Sequence, residues 1–403
     1  MTHDTPSSSP LSPLLVLLMA TTTGLVVASN YYAQPLLHTI ADQLSLSYAK
    51  AGIIVTTAQA SYAVGLILLV PLGDLVERRR LIVIMMLLAM VGLLISASAR
   101  SLPMLLAGTA MTGAFSVVAQ VLVPFAATLA PLETRGKVVG TVMSGLLLGI
   151  LLARTVAGAL STLGDWHTVY WVAAALMLLN TLALWRLLPR YHQPASLHYG
   201  QLITSIIGLF ARHKVYRQRS VLGFLGFAMF SVLWTSLAFL LSAEPWSFND
   251  ATIGLFGLAG AAGALSARHA GVLADRGHGQ RLTIIGIVIL LLSWGLLGLG
   301  GTSLIALLAG IVLLDLALQA VHITNMNMVF SLDESARNRL NSGYMFLYFL
   351  GGAFGSLASA AAYDQHGWSG VVLLGAGLAV AALLYSGLML AEARRQHSRH
   401  PES

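Results

Sequence analysis

What most constrains this chain is a succession of long apolar runs. A helix that crosses about 30 Å of hydrocarbon needs about 20 mostly apolar residues. Twelve such windows fit the sequence, at roughly 13–38, 49–73, 81–99, 103–130, 138–160, 167–189, 220–242, 250–270, 282–300, 303–326, 340–362 and 368–391. Most connections between them are too short to fold independently. The exception is 190–219, whose segment "YGQLITSIIGLFARHKVY" is amphipathic and predicts a linker helix lying on the membrane surface. The layout is an N-terminal six-helix bundle over 1–189, a cytoplasmic linker over 190–219, and a C-terminal six-helix bundle with a short cytoplasmic tail over 220–403. Composition agrees, with 57% hydrophobic and 9% charged residues against about 25% charged in soluble domains. That polar surface is too small to cover a water-soluble globule, so the fold class is an all-α integral membrane protein. The start, "MTHDTPSSSPLSP", lacks the basic n-region of a signal peptide. The apolar run after it continues to Leu37, which predicts a retained first span.

The basic residues set the orientation. With the N-terminus in the cytoplasm, 19 of the 22 Lys and Arg fall on cytoplasmic segments or inner span ends. Lys50 and Arg100 fall outside, and Arg154 falls within a span. Adding or dropping one span scrambles this bias, which predicts an inner (cytoplasmic) membrane protein with both termini inside. The net charge of +7 is thereby explained by orientation, and nucleic acid is not an expected partner. With no cysteine, disulfides and cysteine metal sites are excluded.

The halves resemble each other at an offset near 200. "PLGDLVERRR" follows the second span and "GVLADRGHGQR" the eighth, with Asp74 and Asp275 201 positions apart. "RGKVVGTVMSGLLLG" opens the fifth span and "RNRLNSGYMFLYFLGG" the eleventh. At an offset of 202, Arg135 meets Arg337, Lys137 meets Arg339, Met143 meets Met345, Leu148 meets Leu350 and Gly149 meets Gly351. Two repeated six-helix bundles are typical of transporters that rock about a central site.

These features resemble the major facilitator superfamily over nearly the whole chain. "GVLADRG" looks like that family's loop signature between the second and third spans of each half. The stretches "NYYAQPLL", "ILLARTVAGAL", "LLDLALQAVHITN" and "RLNSGYMFLYFLGGAFGS" look most like a bacterial subgroup of efflux-type permeases. The resemblance implies two pseudo-symmetric six-helix bundles and a central cavity lined by spans one, four, seven and ten. It also implies that Asp74 and Asp275, with Arg78, Arg79 and Arg276 beside them, hold the cytoplasmic side closed against the opposite half. The chain departs from the pattern in four places. Leu75 stands at a usual arginine, Glu77 at a usual glycine and Thr109 at the span-four arginine of proton antiporters. Ala153 and Arg154 stand where antiporters carry Gly-Pro.

Helical periodicity gives those four spans polar or aromatic faces. Span one has Thr23, Asn30 and Gln34 with Tyr31 beside them. Span four has Thr109, Thr112, Ser116 and Gln120. Span seven has Phe224, Phe227, Phe230 and Trp234. Span ten has Asp315, Gln319, His322 and Asn325. The alternative is that such Ser and Thr bond their own backbone, and that such aromatics only pack. Asp315 is the only acidic residue deep in any span, about 18 Å from the outer end at about 1.5 Å per residue. An ionisable group there is a functional candidate, for proton coupling or substrate contact. His322 lies about two turns (about 10 Å) further along the same face, so Gln319 or water has to bridge them for a relay. Arg154 is the other deep charge, and its long forked side chain brings Asp315 within reach. The two either pair, as a latch between halves, or Arg154 faces the substrate.

No GxxxxGK[ST] phosphate loop and no HExxH occurs, so ATP-driven transport and an embedded enzyme are not expected. The expectation is a monomeric secondary transporter in the lipid bilayer, with no cofactor and the proton gradient as energy source. It moves a small-molecule substrate by alternating access, as proton-coupled efflux of an amphipathic compound or metabolite. The alternative is proton-coupled uptake of a small metabolite or organic anion, and a remote one is a transporter-like sensor or channel.

Overall fold

The computed structural model describes residues 11–191, 198–264, 279–333 and 336–399. The N-terminal half holds α1 (Pro13–Ala28), α2 (Leu37–Gln43), α3 (Tyr48–Leu68), α4 (Arg78–Ala97), α5 (Leu102–Phe115), α6 (Val118–Leu129), α7 (Arg135–Ser161) and α8 (Trp166–Leu187). The linker forms α9 (Tyr199–Arg212). The C-terminal half holds α10 (Lys214–Ser242), α11 (Asp250–Ala264), α12 (Gly279–Gly298), α13 (Leu304–Phe330) and α14 (Arg337–Arg399). Among the described residues nine helices are long and apolar enough to cross a membrane. α14 contains two spans that meet at Gly367, whose φ of +61° favours glycine. With the first span and α11, this is the twelve-span, two-bundle architecture.

The sequence sets several helix starts locally. Glu77 accepts from the amides of Arg79 and Arg80 at 2.9 and 3.0 Å. Asp165 caps α8 in a reciprocal box with Thr168, and Ser303 accepts from the amide of Ala306. Each satisfies an amide that the first turn leaves without a partner.

Two spans that read as continuous are broken. Span one stops at Ala28 and resumes as a short turn at Gln34–Leu36 before α2. Span four stops at Phe115 and resumes at Val118. Ser29 bonds back to Val26 at 2.6 Å and Ser116 to Thr112 at 2.7 Å, and the two hydroxyls meet at 2.9 Å. Pro35 lacks the amide that would continue the ladder of span one. Irregular backbone at membrane depth is tolerated only where protein buries it, as here.

The internal repeat is also a packing repeat. A Cβ on Gly149 of α7 would collide with the backbone of Gly24 on α1, and one on Gly351 of α14 would collide with the Phe224 carbonyl on α10. The two glycines aligned in sequence therefore make the same close helix crossing in each half.

Two seams join the halves at the end away from the basic loops. Thr56 of α3 bonds Ser356 of α14 at 2.8 Å, one turn from the Gly52–Ala360 contact. Thr155 of α7 donates to the Gly254 carbonyl of α11 at 2.9 Å, and Gly158 meets the Asp250 backbone. Thr39 of α2 donates to the Asp250 carboxylate at 2.7 Å beside that seam. At the basic end the halves part around a cavity of about 880 Å³. The linker helix expected from the sequence is α9. Its apolar stripe, Leu202, Ile206 and Leu209, is buried against protein. Tyr199 bonds the Leu68 carbonyl of one half, and Gly343 of the other packs on Ile206 and Phe210. α9 thus straps the cavity mouth.

Candidate functional site

The break in span one delivers Tyr31 and Gln34 to Arg154. The guanidinium is 3% exposed, and its Nε donates to Gln34 Oε1 at 2.7 Å. Its carbon lies 4.0 Å from the ring centroid of Trp234, 5.1 Å from that of Tyr31 and 5.3 Å from that of Phe230. A desolvated cation over aromatic faces gains about 2 kcal/mol or more, which offsets part of the cost of burying it. The Nη2 group has no hydrogen-bond partner.

Asp315 is 7% exposed and lies at the nitrogen edge of the same indole. Trp234 Nε1 is 3.4 Å from Asp315 Oδ1. Arg154 and Asp315 make no direct ion pair, and Trp234 touches both. Gly260 of α11 clears the space beside them, since a Cβ there would collide with Asp315 Oδ2 and stand 3.0 Å from Trp234. The sequence points to the two charges, and the structure gives them one shared neighbour, the indole of Trp234.

An aromatic layer covers this site toward the cavity. Tyr62 meets Phe349 across the halves as a tilted ring pair, with centroids 4.3 Å apart. Phe227 stacks on Tyr348 at 4.1 Å. His322 lies over Tyr348 and meets the Tyr344 hydroxyl at 3.1 Å. Gln319, between Asp315 and His322 on α13, is half-buried and bonds neither. The relay geometry considered for these three is not formed in this conformation.

The other candidates divide among four places. Gln120 lines the large cavity and donates to Tyr62 at 3.4 Å. Asn30 lines a small pocket inside the N-terminal half with Ser96 and Thr109, and Ser116 is buried nearby against Ser29. Asn325 is fully buried beside Arg219. Asp74 and Arg78 stand at the cavity mouth, 3.5 Å apart, facing Arg337 and Arg339 across it. With the mouth open, the only ion pair of Asp74 among the described residues is with Arg78 of its own half. Arg79 lies outside this cavity lining. Asp275 and Arg276 lie outside the described residues.

Sequence reasoning missed one buried charge. Arg219, which reads as a cytoplasmic basic residue, is 1% exposed. It donates to Thr283 Oγ1 at 2.8 Å, to Asn325 Oδ1 at 3.3 Å and to Gln280 Oε1. The available signal was a set of polar residues on one side of spans nine and ten. The aromatic layer was also missed, although "GYMFLYFLGG" contains three of its rings.

Comparison with known proteins fits this architecture. The Major Facilitator Superfamily profile matches residues 19–333. An uncharacterized transporter of Escherichia coli O157:H7, YgaY, is 59% identical over 374 residues, which are 93% of this chain and 95% of that protein. A probable transporter of Streptomyces coelicolor, SCO4007, is 34% identical over 90% of this chain and 85% of its own length. The crystal structure of a bacterial homolog of the human lysosomal transporter Spinster, inward-facing and unoccupied, superposes with a TM-score of 0.76 at 16% identity. It covers 95% of this chain and 97% of that one, which shows the shared fold. Two repeated bundles, seams at one end, a cavity at the other and this breadth of sequence match lead to one assignment: the chain belongs to the Major Facilitator Superfamily.

Proposed function

We propose that this transporter works by alternating access around Arg154, Trp234 and Asp315, with Asp315 carrying the coupled proton. The observation that supports this most is the position of the cluster. It holds two opposite ionisable groups at the junction of the halves, between the sealed seams and the 880 Å³ cavity. A buried carboxylate and a buried guanidinium are expensive at membrane depth and are functional candidates by default. Tyr31, Gln34 and Trp234 form the load-facing wall, and the aromatic layer opens to admit the load. Asp74, Arg78, Arg79, Asp275 and Arg276 act at the cytoplasmic gate when the mouth closes.

The basic-residue distribution supports insertion in the cytoplasmic membrane with both termini inside. The chain acts there as a monomer, driven by the proton gradient. The sign of coupling sets the direction, since exchange of load for proton exports and co-transport imports. The subgroup resemblance favours export, whereas the charge of the site favours co-transport.

The test is flux in proteoliposomes, screening organic anions, cations and neutral compounds with and without a pH gradient. Asp315→Asn is expected to abolish pH-driven flux while substrate exchange stays measurable. Full pH-driven flux in that variant sinks the reading.

A further inference from the structure

We propose that the load held at Arg154 is an organic monoanion, a carboxylate or sulfonate on a flat apolar body, and that it binds together with one proton. This rests on the reading of the Arg154–Asp315 cluster as the transport site.

The first support is a pair of donors without acceptors. Arg154 Nη2 and Gln34 Nε2 are both buried and unpartnered. Gln34 cannot turn its amide to help, because its oxygen already accepts from Arg154 Nε. Both residues line one small pocket of about 10 Å³, with Pro35, Trp234, Leu237, Ala238 and Ile253. Such a gap holds about one water. Buried donors are almost always satisfied in native proteins. The forked guanidinium matches a carboxylate in plane and charge.

The second support is the wall. Tyr31, Phe230 and Trp234 present ring faces to the same guanidinium. Aromatic faces favour a flat apolar body beside the charged head.

The third support is the charge balance. The charged and titratable groups around Asp315 are Arg154 from α7, Tyr31 from span one, Tyr348 from α14 and His322 on its own helix. In the empty site the Arg154 cation and the Asp315 anion cancel across the indole. An anionic load adds a negative charge, and a net buried charge is costly. Protonation of Asp315 restores neutrality, so load and proton enter together. A cationic load would instead meet Arg154 as a like charge.

The test uses the full-length protein in nanodiscs and three probes with the same ring, namely benzoate, benzamide and benzylamine. Binding is read from the shift of the thermal unfolding midpoint. Benzoate is expected to bind wild type, more tightly as pH falls, and the other two about tenfold more weakly or not at all. In Asp315→Asn, which fixes a neutral side chain, benzoate is expected to bind tightly with its pH dependence flattened. In Arg154→Gln the affinity is expected to fall about tenfold or more. Arg154→Lys, which keeps the charge but not the fork, is expected to fall between. If Arg154→Gln does not fold, the lysine variant and the wild-type pH series decide. Equal or tighter benzylamine or benzamide binding, no benzoate binding at any pH, or an unchanged pH dependence in Asp315→Asn overturns the proposal. Arg154-dependent benzoate binding alongside full pH-driven flux in Asp315→Asn would instead leave the anion site standing and remove the coupling role.

Discussion

The guanidinium of Arg154 lies over the indole of Trp234, 4.0 Å from its ring centroid, while the Nε1 edge of that indole points at Asp315. One side chain thus holds a cation by its face and an anion by its edge. Trp234 is therefore the shared neighbour of two opposite charges that form no direct salt bridge.

Removing the indole is the most direct probe of that arrangement. Trp234→Leu loses the ring face and the Nε1 donor together, and Arg154 and Asp315 are expected to close into a direct pair. Transport is expected to fall at least about tenfold, in line with a loss of about 2 kcal/mol of cation–π stabilisation. Trp234→Phe keeps the face and loses only the donor, so it is expected to retain more flux than the leucine variant. Initial rates in proteoliposomes check the order. Equal rates for leucine and wild type would refute a role for the indole.

Gly260 offers a second probe from the opposite wall. A Cβ there collides with Asp315 Oδ2, and overpacking of a close contact costs about 1–3 kcal/mol. Gly260→Ala is expected to lower the unfolding midpoint and transport, whereas Gly136→Ala, with open space around it, is expected to do neither. Thermal unfolding in detergent separates the two.

Arg219 predicts a purely structural loss. Its guanidinium satisfies Thr283, Asn325 and Gln280 inside the C-terminal half. Arg219→Ala removes the donor to Gln280 and Asn325, while the Thr283 hydroxyl keeps its bond to the Gly279 carbonyl, and a destabilisation of about 1–3 kcal/mol is expected from the unsatisfied buried polar groups. Arg219→Lys is expected to recover part of it. Denaturant unfolding of the reconstituted protein measures both, and an alanine variant as stable as wild type contradicts the packing described.

The seam between α3 and α14 can be locked. Thr56 and Ser356 hydroxyls are 2.8 Å apart, and the chain has no cysteine of its own. Side chains in such contact place their Cβ atoms near disulfide range. The double variant T56C/S356C is expected to lose transport on oxidation and regain it on reduction. Full activity of the oxidised, cross-linked protein would mean that this seam stays shut throughout the cycle.

Membrane class, span count and internal repeat are legible in the sequence because run length and Lys/Arg placement are one-dimensional signals. Asp315 and Arg154 are legible for the same reason, as charges that interrupt apolar runs. The part of Trp234 in contacting both is not, because a Phe and Trp stripe on span seven reads equally as packing. The breaks at Ser29 and Ser116 are hidden too, since serine bonding back to its own helix leaves hydropathy unchanged. Arg219 misleads because a charge near a span end reads as a loop residue. The polar pocket that buries it comes from two other helices, about 60 to 106 positions away. Asn30 and Ser116 share the polar stripes of their spans, but the breaks turn them into the interior of the N-terminal half.

The α7–α11 seam runs through Arg154 itself. A Cβ on Gly254 would stand 2.6 Å from the Arg154 carbonyl oxygen, and one on Gly257 would stand 3.1 Å from the Arg154 Cβ. The residue proposed to hold the load is therefore, at its backbone, part of the seam between the halves. Any parting of the seam moves the root of that side chain away from α11 and so disturbs the ring contacts around its head. Under that proposal, loading the site and opening the seam are mechanically linked.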